Sequence, residues 1–243
     1  MCEPSPNKTN GWKGWRDLPA PRITQAAGGW VDLSHRITET LSRIPWFPQP
    51  RIRRIREYPP ANVSEVHMVV HHGTHVDAPI HFNADGPAMD EVPLDRLYGE
   101  GVIWRFDDLA PRAMIGRAEL ERATPRIKEG DIVLLDTGAG RHVNTDQYEE
   151  HPSLGAEAAE WLLDHGAKLV GIDASSPDIA THYRPPDYPM PVHNTLLSNG
   201  VLIAEHMTNL APLGNRRVEI MFMALNIAGS DGAPARVVAR PID

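Results

Sequence analysis

From His71 to Phe82 the chain reads His-His-Gly-Thr-His-Val-Asp-Ala-Pro-Ile-His-Phe, gathering four of its 12 histidines and one carboxylate into a single short run. Imidazole nitrogens and carboxylate oxygens are the donor set of a borderline divalent cation such as zinc, manganese or iron. His71, His75, Asp77 and His81 all fall on odd positions, so one extended strand would present them on one side. A straight strand separates residues four apart by roughly 13 Å, too far for His71 and His75 to share an ion. The chain must therefore bend between them, and Gly73 bends without steric cost. The expectation is a strand over residues 66–70, a bend at Gly73, and a short coiled segment delivering Asp77 beside the two histidines. Pro79 would stiffen the exit toward His81. The i, i+4 spacing of His71 and His75 also suits a zinc-protease helix. That motif wants Glu where His72 stands, and Gly73-Thr74 makes a poor helix centre.

A second constellation is weaker by itself: His193-Asn194-Thr195-Leu196-Leu197, then Glu205 at the end of an apolar run over residues 201–204. The pattern His71-x-Gly73-Thr74-His75-x-Asp77-x-Pro79-x-His81-Phe82 resembles the signature of the metal-dependent cyclase family, which includes bacterial kynurenine formamidase and isatin hydrolase. Asp32-Leu33-Ser34-His35, Gly171-Ile172-Asp173-x-x-Ser176 and the His…Leu-Leu…Gly-Val…Glu order ending at Glu205 are similar to the same family. The likeness runs over about residues 30–240. It implies that His71, His75 and Asp77 hold a metal, that His193 and Glu205 complete the centre, and that His81 transfers protons. It further implies zinc or manganese, one or two ions per subunit, with Asp77 bridging if there are two. Glu205 would hold the second ion or, with one ion, act as a base. An aromatic of the Pro45-Trp46-Phe47-Pro48 element would border the substrate, so Trp46 and Phe47 are candidate substrate contacts. The chain departs from the family at Gln49-Pro50, where Gly-Asp is common, and at Gly138-Ala139-Gly140. Asp173 and Asp178 read as structural or supporting acids, and His206 as supporting or incidental.

A cation with an open coordination position makes hydroxide available at neutral pH and polarises a carbonyl. A neighbouring imidazole can carry the proton from water to leaving group. The expected reaction is hydrolysis of an amide C–N bond in a small aromatic or cyclic substrate, with N-formylkynurenine and isatin-like lactams as the substrates the resemblance suggests. Rival readings are a lactone or imide hydrolase, a polyketide-type cyclase or dehydratase on the same fold, and a non-catalytic metal-binding protein.

The scaffold that must position these groups reads as one large domain. The chain has 243 residues, 41% apolar and 23% charged, ordinary for a globular protein. A net charge of −8 argues against nucleic acid or an anionic membrane as partner. No apolar run approaches the roughly 20 residues needed to span a bilayer, and no secretion signal is visible. The one cysteine, Cys2, allows no internal disulfide, which fits a cytoplasmic home. Residues 1–29, with a Gly-Trp repeat at Trp12 and Trp15, read as an irregular arm that is disordered or docks on a neighbouring subunit. By the resemblance, residues 30–243 are expected to form the cyclase-like domain.

Strands are expected near residues 30–35, 101–106, 131–136, 168–173, 201–204, 218–227 and 235–239, with a short helix at 116–124 and the clearest helix at 153–165, capped by Ser153 and stopped by Gly166. Arg51, Arg53, Arg54 and Arg56 read as a solvated face, residues 184–191 as a wall or lid, and Asn226 as a residue aimed at the site. The fold class is therefore α/β, with mixed sheets and few helices; the resemblance implies the swivelling β/β/α fold. By resemblance alone, a homodimer or homotetramer acting on a small molecule is expected.

Overall fold

Asp131–Asp136 is followed on both sides by strands that bury it, and the molecule is arranged around that run. The computed structural model describes residues 11–20 and 28–242; Cys2, Pro4, Pro6 and Pro21 lie outside the described residues. Twelve strands occur among them: β1 (Val31–Asp32), β2 (Arg51–Arg56), β3 (Val63–His67), β4 (His75–Asp77), β5 (Tyr98–Arg105), β6 (Met114–Ile115), β7 (Ile132–Asp136), β8 (Ser153–Leu154), β9 (Leu169–Ile172), β10 (Leu202–Glu205), β11 (Arg216–Ala224) and β12 (Gly232–Pro241). Three α-helices accompany them: α1 (Arg117–Arg122), α2 (Ala156–Asp164) and α3 (Pro191–Ser198). None is long and apolar enough to cross a membrane.

Eight strands form one sheet in the order β1-β12-β11-β5-β7-β9-β10-β4, and the start of β12 pairs back on β4 so that the sheet closes on itself. Neighbours among β5, β7, β9 and β10 are parallel, which brings their C-terminal ends to one rim. A parallel sheet has both faces covered, and its strands read as continuous apolar runs. In β7, Ile132 and Leu134 join the interior cluster with Ile103, Leu169, Leu202 and Ile220. Val133 and Leu135 pack outward with Ile203 beneath Leu120, Leu162 and Leu196 of the three helices.

Several local expectations are corrected. The segment after Gly73 is not coil: His75–Asp77 is strand β4, hydrogen-bonded to β10 on one side and β12 on the other. Three residues carry too short a pattern to reveal a strand whose partners lie far along the chain. The strand before the motif ends at His67 and pairs with β2. The arginine run that forms β2 is exposed throughout, as expected, but it is half of a two-stranded ribbon. Ser153 does not cap α2. Its N–H is bonded to Ala113 O in a short pairing with β6, and Gly155 takes the cap position. Gly166, at φ +78°, does end that helix. The helix α3 starts with a proline in its first turn, the favoured place for that residue. β11 stops at Ala224, leaving Asn226 exposed beyond the strand.

Residues 11–20 form neither helix nor strand and lie against the chain's own body. The Trp12 N–H donates to Asp85 Oδ1 at 3.0 Å, Lys13 N–H to Ser198 O at 3.0 Å, and Arg96 covers the Trp15 ring at 5.1 Å.

Candidate metal centre

Strand alternation decides which side chains reach the site. On β4, Val76 faces the interior cluster, so His75 and Asp77 face the helix side. On β10, Leu202 and Ala204 face inward, which sends Glu205 outward beside His75, its registered partner. Gly73, at φ +68°, makes the expected bend and turns His71 back over Asp77. His193 is lowered from α3, and the turn Pro79–His81 carries His81 to the rim.

The donor atoms converge. His75 Nε2 lies 3.2 Å from Asp77 Oδ1 and 3.5 Å from Glu205 Oε2. His193 Nε2 lies 3.2 Å from Glu205 Oε1 and 3.8 Å from Asp77 Oδ2. His71 Nδ1 is 2.8 Å from Asp77 Oδ1, and the His71 and His81 ring centroids lie 4.2 Å apart, the rings tilted by 32°. All five sequence-derived ligand candidates, His71, His75, Asp77, His193 and Glu205, thus meet in one buried cluster with His81 at its edge.

Two tautomers are set by the surroundings. His75 Nδ1–H donates to Gly73 O at 2.8 Å, so its Nε2 presents a lone pair toward the carboxylates. His193 Nδ1–H donates to Asp178 Oδ2 at 2.6 Å, freeing Nε2 in the same way. Burial alone would raise the Asp178 carboxyl, but the His193 side chain and the N–H groups of His193 and Val192 hold it below its ordinary value.

The residues fit a cation. His75 Nε2 and Asp77 Oδ2 are buried without a hydrogen-bond partner, an arrangement that costs free energy unless something positive lies between them. Electrostatics agrees. Burial disfavours the His193 imidazolium, yet Asp178 and Glu205 outweigh it and draw the group up to about 10. Burial is likewise outweighed at His71, which Asp231 and Asp77 raise to about 10. Burial would raise Asp77, but His71 and His75 hold its carboxyl well below the usual range. Each centre is over-supplied with negative charge and calls for a cation. His71, Asp77 and His81, and separately His75, Asp77 and Glu205, offer ligand atoms close enough to share one ion.

Of the aromatic candidates, Phe47 reaches the cluster, its ring 6.4 Å from that of His71. Trp46 is 66% exposed and touches Phe47 edge-on, outside the cluster. The acids Asp173 and Asp178 support structure, as read from sequence. Asp173 accepts bonds from Thr137 N–H, Thr137 hydroxyl and Gly140 N–H, which ties down the glycine-rich loop. His206 is buried behind His75, with Nδ1 bonded to the Tyr148 hydroxyl at 2.7 Å.

One residue escaped the sequence reading. Asp231, in the turn before β12, puts Oδ2 at 2.9 Å from His71 Nε2 and 3.2 Å from His81 Nδ1. Nothing in a Gly-Ser-Asp-Gly turn distinguishes it from any other surface turn.

The fold and this centre define a mixed α/β protein with a buried histidine–carboxylate cluster that could hold a cation on the helix side of a closed sheet. The chain belongs to the cyclase family described as "Putative cyclase", whose model matches residues 31–179. That span holds His71, His75, Asp77, His81 and Asp178 and ends before His193, Glu205 and Asp231. The kynurenine formamidase of Bacillus cereus is 28% identical over 217 residues, covering 88% of this chain and 98% of that protein. A solved structure described as a potential metal-dependent hydrolase with cyclase activity matches at TM-score 0.72 and 29% identity, over 87% of this chain and 96% of its own. Isatin hydrolase A from Labrenzia aggregata matches in fold at TM-score 0.80 and 23% identity, over 88% and 94%. The cyclase-like α/β architecture expected from the motif is thus the one adopted.

Proposed function

We propose that the protein is a metal-dependent hydrolase that cleaves an amide C–N bond in a small aromatic or cyclic substrate, an aryl formamide or an isatin-like lactam. The observation that carries this reading is the convergence of His75, Asp77, His193 and Glu205, their donor atoms facing one another in a buried cluster beside the partly exposed His81. The relationship to kynurenine formamidase supports the bond type.

His71, His75, Asp77, His193 and Glu205 would hold one or two ions of zinc or manganese; when bound, such an ion supplies an activated water and a polarised carbonyl. The protein's own contribution begins with orientation. The main chain at Gly73 and the carboxylate of Asp178 fix which nitrogens of His75 and His193 are free. His81 takes a proton from the attacking water as the C–O bond forms, and returns it to the leaving nitrogen as the C–N bond breaks. Phe47 offers a flat apolar wall for an aromatic ring.

The test is elemental analysis of the purified protein, joined to hydrolysis of N-formylkynurenine and isatin before and after chelation. Bound metal with chelator-sensitive cleavage of either substrate is the expected result. Metal without either activity moves the substrate to lactones and imides, and no metal after reconstitution ends the proposal.

We also infer a homodimer or homotetramer. The β2–β3 ribbon is exposed on both faces, including Ile52, Ile55, Val63 and Val66, and an isolated ribbon of this kind is marginal in water. Its arginines suit a second copy of a chain whose net charge is −8. Light scattering of an Ile55→Glu variant should report a smaller mass than wild type.

A further inference from the structure

The turn before β12 is built against the two histidines at the open edge of the centre. Ala78 N–H donates to Asp231 O at 2.9 Å, Met89 N–H to Ser230 O at 2.8 Å, and Ser230 hydroxyl to Gly232 O at 2.7 Å. Gly229 N–H adds a bond to Asp90 at 2.9 Å. Gly232 is packed so closely that a Cβ there would lie 2.8 Å from His71 Cε1 and 2.8 Å from Val76 O. The main chain of this turn is therefore fixed relative to the His71 ring. Its one carboxylate is aimed inward: Asp231 Oδ2 meets His71 Nε2 and His81 Nδ1, although the Asp231 side chain is half-exposed and had water as an alternative.

We infer that Asp231 is a positioning residue that sets the tautomers of His71 and His81 together. A carboxylate only accepts, so each imidazole turns an N–H toward it. His71 thus has Nε2 committed to Asp231; its Nδ1, 2.8 Å from Asp77 Oδ1, carries a second N–H in the ion-free protein and is the nitrogen that would give up its proton to a bound cation. His81 keeps Nε2 bare, the atom that makes no hydrogen bond to another described residue. One side chain, about 150 residues beyond the motif, thus readies one histidine for the cation and the other for the proton. Carboxylates that orient ligating histidines work by this means, and their loss typically lowers metal affinity or activity about 10–100-fold. The His81 half of the inference rests on the proposed hydrolytic reading; the His71 half does not.

The experiment compares wild type, Asp231→Ala and Asp231→Asn as zinc-loaded, 15N-histidine-labelled proteins, folded by near-UV circular dichroism. Two-bond proton–nitrogen spectra, assigned by difference with His81→Ala, report the tautomers directly, and chelator competition reports zinc affinity. In wild type, His81 should carry its proton on Nδ1. In Asp231→Ala, His81 should lose that single tautomer and zinc affinity should fall about 10–100-fold, with Asp231→Asn between. Unchanged tautomers and unchanged affinity in both variants would overturn the inference, as would a wild-type His81 protonated on Nε2. The kinetic arm is a double-mutant cycle at saturating zinc. Asp231→Ala should lower kcat in the parent and not further in His81→Ala, whereas equal losses in both backgrounds would refute action through His81. A wild-type protein that hydrolyses neither substrate removes the amide assignment alone, because the spectra and the zinc affinity still decide the role of Asp231.

Discussion

His75, His193 and Glu205 occupy a closed half of the centre, their side chains no more than 7% exposed, while His81 and Asp231, with the equally buried His71 bonded to Asp231, make up a half that opens outward. In the open half His81 is 26% exposed and Asp231 49%. The closed half is held by deep anchors, a main-chain carbonyl behind His75 and the buried Asp178 behind His193. The open half is held by a carboxylate at the surface. On the proposed reading, the difference shows how one centre would serve two purposes. Fixed, dry donors hold a cation because they have no solvent to turn to. Groups that exchange protons and meet a substrate need access to both.

Asp77 belongs to both halves, since one carboxylate touches His71 and His75 and faces His193. Replacing it is the most damaging way to break the comparison. Asp77→Asn preserves shape but removes the charge that all three imidazoles face. Bound metal and turnover should both be lost, checked by elemental analysis and by hydrolysis assays at saturating added metal. An Asn variant that retains full metal content and activity would place the shared ligand elsewhere.

Asp178→Asn attacks the closed half alone. The amide can turn its oxygen to His193 Nδ1–H or its NH2 toward the ring, and the second choice selects the wrong tautomer. Metal affinity should drop about 10–100-fold. The open half should be untouched, so kcat at saturating metal should stay near wild type, read by titrating activity against free metal concentration.

Gly232→Ala presses on the seam from the open side. Its Cβ would lie 2.8 Å from both the His71 ring and Val76 O, and the second of these is main chain that cannot swing aside. Overpacking of this kind costs about 1–3 kcal/mol, measurable as a lowered denaturation midpoint, and it should shift His71 without disturbing His193.

These contrasts also explain what the sequence conveyed. His71, His75 and Asp77 were legible because they share one short motif with Gly73 as a forced bend, whereas His193, on α3, and Glu205, at the end of β10, gained weight only through the family resemblance. The long buried strands β5, β7 and β9 were legible because burial on both faces leaves a continuous apolar run. Strand β4 was not, since three residues have no period and its hydrogen bonds go to β10 and β12. Ser153 misled because a good capping residue was claimed instead by pairing with β6. Asp231 was invisible for a different reason. Its role comes from the closure of the sheet, which brings residue 232 opposite residue 77, and no local pattern encodes that meeting.

His151 gives the smallest and sharpest test, because it is an imidazole behind the centre whose charge the fold opposes. Its Nδ1–H donates to Pro152 O at 2.8 Å, and its Nε2 is bonded to Ser175 Oγ at 3.0 Å. Burial pushes its pKa below the ordinary 6.5, against the opposing pull of the Pro152 carbonyl and of Glu205. The centre histidines His71 and His193 are drawn the other way by carboxylates. The sign for His151 follows from linkage: the unfolded chain takes up a proton near pH 6.5 and the folded one resists until lower pH. Its contribution to stability is complete above about pH 6.5 and is lost as pH falls through the depressed folded value. In His151→Gln that loss is absent. Urea denaturation at pH 7.5 and at pH 5.5 should therefore show wild type losing more stability between the two than the variant does. Equal losses would mean that His151 titrates as freely in the fold as in water, and that the neutral setting behind the closed half does not exist.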